Sequence, residues 1–167
     1  MSFAFDHIEI YFTEERIESL FFIILGSIAI ILALLFLGII KYSFFKGMAI
    51  PLLLIGIIQL TVGIIVYNRS AEGMYHVNQM RINERSKLKT EELPRMEKVM
   101  KNFMAYKWLE IALLVAGATI FIGFYNSAQS FWKGFGLALM IQAGVMLSLD
   151  LVAEQRAKEY VENLTIL

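Results

Sequence analysis

Four apolar runs, set in two pairs on either side of a charged middle, organise this chain. Residues 20–40 form the first run, with Ser27 as its polar member, and residues 47–67 the second, with Gln59 and Thr61 inside it. Each is 21 residues long. At about 1.5 Å per residue, such a helix reaches about 30 Å, one hydrocarbon thickness. Residues 108–125 and 131–152 form the second pair, with Glu110 near the start of one and Lys133 and Asp150 near the ends of the other. Those charges fall at interface depth, where side chains snorkel toward water. The pattern predicts an all-α integral membrane protein with four transmembrane helices in two hairpins, carrying helical cytoplasmic extensions. Its organisation reads as an interfacial segment (1–16), hairpin 1 (17–68), a cytoplasmic helical segment (69–107), hairpin 2 (108–152) and a cytoplasmic C-terminal helix (153–167).

The charged middle keeps a helical period. Sequence that favours helix continues from Asn68 to about Arg85, interrupted by Gly73, and Tyr67, Met74 and Leu88 recur at multiples of seven with Arg81 in the remaining slot. Residues 86–90 read as the turn. Thr90 ahead of Glu91 and Glu92 is a helix start, a hydroxyl cap followed by carboxylates at the positive end of the dipole. Pro94 falls in the first turn, where its missing N–H matters least. One face then reads Leu93, Met96, Met100, Phe103, while Glu91–Arg95 and Glu97–Lys101 are i,i+4 pairs on the solvated side. Beyond Asp150 the stripe Ala153, Ala157, Tyr160, Leu164, Leu167 continues the last helix, with Glu154–Lys158 as another pair. Three helical extensions are therefore expected to bury their stripes together. Residues 3–12 are too apolar for a free tail and predict a helix lying on the inner leaflet.

Composition agrees with the pattern. The chain is 58% hydrophobic and 18% charged, against about 25% charged in a soluble domain. Zero net charge offers nucleic acid no bulk attraction. There is no cysteine, which excludes disulfides, thiolate metal sites and thiol catalysis. Asp6, Glu9, Glu14, Glu15 and Glu18 against Arg16 alone give the start of the chain the wrong sign for a secretory leader. With four spans, twelve of the fifteen Lys and Arg residues fall on one side, and Lys41, Lys46 and Lys133 on the other. The positive-inside rule makes the twelve-residue side cytoplasmic, so both termini are expected inside, in a multi-pass protein of the cell inner membrane. Tyr42, Phe44, Phe45, Tyr125, Phe131 and Trp132 form an aromatic belt at the opposite face.

Each outer loop enters its following span through similar residues, Ser43-Phe44-Phe45-Lys46-Gly47 and Ser130-Phe131-Trp132-Lys133-Gly134. They read either as an internal repeat of one hairpin or as two convergent interface anchors. Each span also carries small residues at helical spacing: Gly26, Ala29 and Ala33; Gly56 and Gly63; Ala112, Ala116 and Gly123; Gly136 and Ala143. Such seams let helix backbones approach within a bundle or between subunits.

Candidate chemistry is sparse. His7 and His76 have no partner histidine at i+3 or i+4, and Glu72 with His76 makes at most half a metal site. No catalytic triad, phosphate loop or cofactor motif is present, so no enzyme activity and no cofactor are expected. Glu18, Glu110 and Asp150 are expected at similar depth at the cytoplasmic boundary, either as an acidic vestibule in an oligomer or as ordinary interface charges. Gln59, Thr119 and Gln142 lie near mid-membrane, as a neutral lining or as interhelical hydrogen bonds worth about 0.6–2 kcal/mol each. Arg81, Arg85, Lys87 and Lys89 form a basic cluster suited to lipid headgroups or a small anionic ligand. The five methionines of the layer (Met74, Met80, Met96, Met100 and Met104) read as its core or as an adaptable docking groove. One four-helix unit is too small to enclose an aqueous path. The expectation is therefore a homo-oligomeric ion channel or pore gated by its cytoplasmic helices. The alternative is a non-conducting sensor, adaptor or regulatory subunit that docks a cytosolic protein.

Overall fold

The structure is a computed structural model that describes residues 3–83 and 86–166, without the side chains of residues 3–7, 81 and 83. It consists of α1 (Phe3–Gly38), α2 (Ser43–Asn83), a π-helical turn (Leu88–Glu92), α3 (Leu93–Phe124) and α4 (Ser130–Ile166). All four long helices are apolar and long enough to cross a membrane. α2 and α4 form the central pair; α1 lies against α2 and α3 against α4, with a smaller contact between α1 and α4.

Small residues set the spacing of these helices. A Cβ on Gly26 would lie 2.8 Å from the Gly56 carbonyl oxygen and 2.7 Å from the Leu60 nitrogen, so α1 and α2 meet backbone to backbone. Gly117 and Gly136 do the same for α3 and α4: a Cβ on Gly136 would lie 2.6 Å from the Phe121 nitrogen. At the start of the central pair the approach is reciprocal. A Cβ on Gly47 would collide with the Phe131 carbonyl, and one on Gly134 with the Phe44 carbonyl. These are the same positions of the two similar loop entries. Between them a core of Ala29, Ala33, Ala49, Leu52 and Ala138 is buried, its small side chains matching the short interhelical distance.

The second core lies in the charged half. Ile8, Tyr11 and Phe12 of α1, Val77 and Met80 of α2, Leu88, Met96 of α3, and Ala157, Tyr160 and Leu164 of α4 are buried together, with Met74, Leu93, Met100 and Phe103 packed around them. The layer is thus built from four helical extensions where the sequence pattern predicts three. The N-terminal stretch expected along the leaflet is instead the first turns of α1. Ile8, Tyr11 and Phe12 recur at three- and four-residue steps, so they share one face, and that face is covered by α2 and α4. Leu167 of the C-terminal stripe lies outside the described residues, as do Glu84 and Arg85.

The expected turn at residues 86–90 is helical. Thr90 is no cap: its hydroxyl donates back to the Ser86 carbonyl at 3.3 Å. The Leu93 N–H donates to the Leu88 carbonyl, a five-residue step. Pro94 explains the widening. Its ring clashes with the carbonyl four residues earlier and it has no N–H to offer, so the turn before it opens to π spacing.

Glycine substitutions test this packing. Gly134→Ala and Gly47→Ala are expected to destabilise the folded protein in detergent by about 1–3 kcal/mol each, read as a lower midpoint of thermal unfolding. Gly123→Ala, with nothing within 4 Å of the added carbon, is expected to be neutral or stabilising by up to about 1 kcal/mol.

Candidate functional site

Where the apolar half meets the charged half, ionisable side chains from all four helices converge. On the α1–α2 side, Glu15 accepts hydrogen bonds from Arg69 (3.1 Å), Ser70 (2.5 Å) and Tyr11 (3.4 Å). Arg16 donates to the Tyr67 hydroxyl at 2.6 Å and lies over its ring. Between α1 and α4, Glu18 and Arg156 form a 2.6 Å ion pair with only 12% and 11% of their side chains exposed. Between α3 and α4, Lys107 pairs with Glu154 at 2.6 Å, and Lys158 reaches the same carboxylate at 2.8 Å. These two ammonium groups hold the Glu154 carboxyl below the usual carboxylate range.

Further into the charged half, the Tyr11 and Tyr160 rings stack 4.3 Å apart with their planes 11° from parallel. Tyr160 donates to Glu92 at 3.1 Å, and Arg95 donates to both oxygens of that carboxylate at 2.7 Å. Burial raises both phenols above their ordinary range, Tyr160 with added help from Glu92. They therefore remain neutral donors.

Of the three boundary acids, the structure brings Glu110 and Asp150 into hydrogen-bonding reach of each other. Glu18 is near enough to feel the charge of Asp150 but is committed to Arg156. Glu110 is buried, and one of its oxygens has no partner. The neutral set does not come together. Gln59 is fully buried against α1 beside Gly26, with neither amide atom partnered. Thr119 is exposed on α3 and donates within its own helix to the Val115 carbonyl at 2.8 Å. Gln142 is buried on α4. In the basic cluster, Lys87 is half-buried and Lys89 exposed, while the Arg81 side chain and Arg85 lie outside the described residues. His76 and Glu72 are exposed, and the side chain of His7 is outside the described set. Among the described residues no three His, Asp or Glu side chains gather as a metal site. A cleft of about 30 Å³ beside Tyr11, Tyr160 and Arg156 has room for about one water.

Several participants are not legible from spacing. The i,i+4 rule pairs Arg95 with Glu91, but Arg95 turns to Glu92, whose buried carboxylate also receives Tyr160. Tyr160 was expected as part of an apolar stripe, which it is, yet its hydroxyl is the polar link between α4 and the π turn. The pairing of Glu18 with Arg156 spans nearly the whole chain and has no local signal. The i,i+4 pair of Glu154 and Lys158 forms as spacing predicts.

Comparisons with family models, with curated proteins and with solved structures gave no match to this chain.

Breaking the most buried ion pair on one side leaves an uncompensated charge. Glu18→Gln alone is expected to cost about 3 kcal/mol or more. The double variant Glu18→Gln, Arg156→Met should recover a large part of that loss in the same thermal unfolding measurement. Equal losses in the single and double variants would show that the pair contributes no mutual compensation.

Proposed function

We propose that the chain is a multi-pass protein of the cell inner membrane with both termini cytoplasmic. We propose further that it acts as a non-conducting adaptor or regulatory subunit whose helical layer docks a cytosolic protein. The observation that carries this reading is the internal pairing of the boundary acids. Glu18 is neutralised by Arg156, and Glu110 faces Asp150, all within one chain. An acidic vestibule shared between subunits would need those carboxylates turned outward. Gln59, the deepest of the polar residues proposed for a lining, lies beneath α1. The charged half, by contrast, has a packed aromatic core that can present a fixed surface. Tyr75 and Ile82 on α2 are each 69% exposed there, beside exposed Glu72 and His76.

The second reading remains a homo-oligomeric pore. It is favoured by one feature: the outward face of α3 carries Ala112, Ala116, Thr119 and Gly123, small enough for close approach of another copy. We also read the two halves as copies of one hairpin related by an axis along the membrane normal. The reciprocal approach of Gly47 to Phe131 and of Gly134 to Phe44 supports this, because both contacts join equivalent positions of the two loop entries.

The absence of cysteine makes the topology directly testable. Ala128→Cys should react with a membrane-impermeant thiol reagent in intact cells, and Glu162→Cys only after permeabilisation. For function, purified protein in liposomes is expected to give no ion flux above empty vesicles, while pull-down from cytosol recovers a stable partner. Tyr75→Ser with Ile82→Ser should weaken that capture about ten-fold. Flux that falls in Glu110→Gln or Asp150→Asn would reject the adaptor in favour of the pore.

A further inference from the structure

In the charged half, α1 and α4 flank the cleft of about 30 Å³ whose walls include Glu14 of α1 and Arg156, Glu159 and Asn163 of α4. The stacked rings of Tyr11 and Tyr160, 4.3 Å apart, also line it and tie the two helices together. Arg156 spends one terminal nitrogen on Glu18 at 2.6 Å and lies 5.5 Å over the Tyr11 ring, while its Nε is buried with no acceptor. Glu14 and Glu159 are exposed, and among the described residues neither meets a cation. Glu159 accepts a hydrogen bond from Gln155 at 3.4 Å. The buried acids nearby are matched: Glu15 by Arg69, Glu18 by Arg156 and Glu154 by Lys107 and Lys158. The cleft therefore presents two unmatched carboxylates and, on the same lining, a guanidinium with an unspent donor.

Space selects the cation. The cleft has room for about one water, which is the size of a primary ammonium group and too small for a trimethylammonium. Depth selects what carries it. Arg156 lies four residues beyond Val152, where the last apolar run ends, and Glu14 six residues before Leu20, where the first begins. At about 1.5 Å per residue these positions are about 6 and 9 Å from the hydrocarbon edge. A headgroup layer about 5–7 Å thick covers the first and borders the second. Toward the hydrocarbon, Ile17 and Phe21 follow Glu14 along one face of α1, and Val152 shares the face of Glu159 on α4; all three are more than half exposed. Acyl chains cover such residues and bring a headgroup to the cleft. We propose that the α1–α4 cleft binds the headgroup of an aminophospholipid of the phosphoethanolamine class. Its primary ammonium enters between Glu14 and Glu159, where three N–H donors meet two carboxylates. Its phosphate, two carbons away, is the acceptor that the Arg156 guanidinium lacks.

The site rests on the membrane-spanning reading and is indifferent to whether the chain conducts ions. A chain that alkaline carbonate washes off membranes would overturn that reading and the site with it; a chain that stays but shows no headgroup preference overturns the site alone. Native mass spectrometry of the full chain in detergent, titrated with dioleoyl lipids that differ only in headgroup, reads the affinities. Phosphatidylethanolamine should bind about ten-fold more tightly than phosphatidylcholine, whose ammonium has no N–H, and than phosphatidylglycerol, which has no cation. Glu14→Gln with Glu159→Gln, isosteric changes at two exposed positions, should abolish that preference without weakening phosphatidylglycerol binding. Glu72→Gln, an exposed acid outside the cleft, should keep the preference; its loss there would assign the effect to bulk charge and overturn the site. Equal affinity for the three headgroups, or a preference that survives the double variant, would also overturn it. Glycerophosphoethanolamine, the same headgroup without acyl chains, should compete about a hundred-fold less well. Competition at par by that soluble zwitterion, or displacement of the lipid by an equal concentration of a lysine-rich peptide, overturns the lipid assignment.

Discussion

Direct contact between helix backbones is the constraint on which the rest of this structure depends. Apolar side chains gain little by leaving lipid for one another, so helices that associate there rely on close approach and on the polar contacts it allows. Here Gly26 meets Gly56, Gly117 meets Gly136, and Gly47 and Gly134 meet the carbonyls of Phe131 and Phe44. These contacts draw α1 onto α2, α3 onto α4, and α2 onto α4. A side chain at any of them would prise the pair apart. Once the helices are that close, Ala29, Ala33, Ala49 and Ala138 suffice to fill the space between them.

The same spacing carries downward into the charged half, where the packing changes character. Aromatic and branched side chains replace the alanines, and Tyr11 stacks on Tyr160 between α1 and α4. The buried acids Glu15, Glu18, Glu92 and Glu154 of this layer each meet a cation. Buried ion pairs contribute little net stability compared with apolar packing, but they penalise any arrangement that separates them. Glu18 with Arg156, Lys107 with Glu154 and Glu15 with Arg69 therefore act as register marks, each joining a different pair of helices. The layer holds the four helix ends in one arrangement.

The four apolar helices are legible in the sequence because their lengths and polar boundaries are local properties. So are the stripes Leu93, Met96, Met100, Phe103 and Ala153, Ala157, Tyr160, Leu164, whose period points each to one side of its helix. Local rules failed where a competing contact was stronger. Thr90 has the chemistry of a cap, but the helix already runs through it, and Pro94 imposes a wider turn. Residues 3–12 have the composition of an interfacial helix, yet Ile8, Tyr11 and Phe12 find covering faces on α2 and α4 instead.

Depth along the helices is likewise a sequence property: counting residues from the ends of the apolar runs places Glu18, Glu110 and Asp150 at one level. Which of them meet depends on the order of helices around the bundle and on the rotation of each about its axis. Those are decided by non-local glycine contacts such as Gly47 with Phe131 and Gly117 with Gly136. That is why Arg156 goes to Glu18 and Lys107 to Glu154, leaving Glu110 and Asp150 to each other. A linear chain specifies the charges and their heights; only the assembled bundle assigns each charge its partner, because pairing is a matter of distance across helices and not along them.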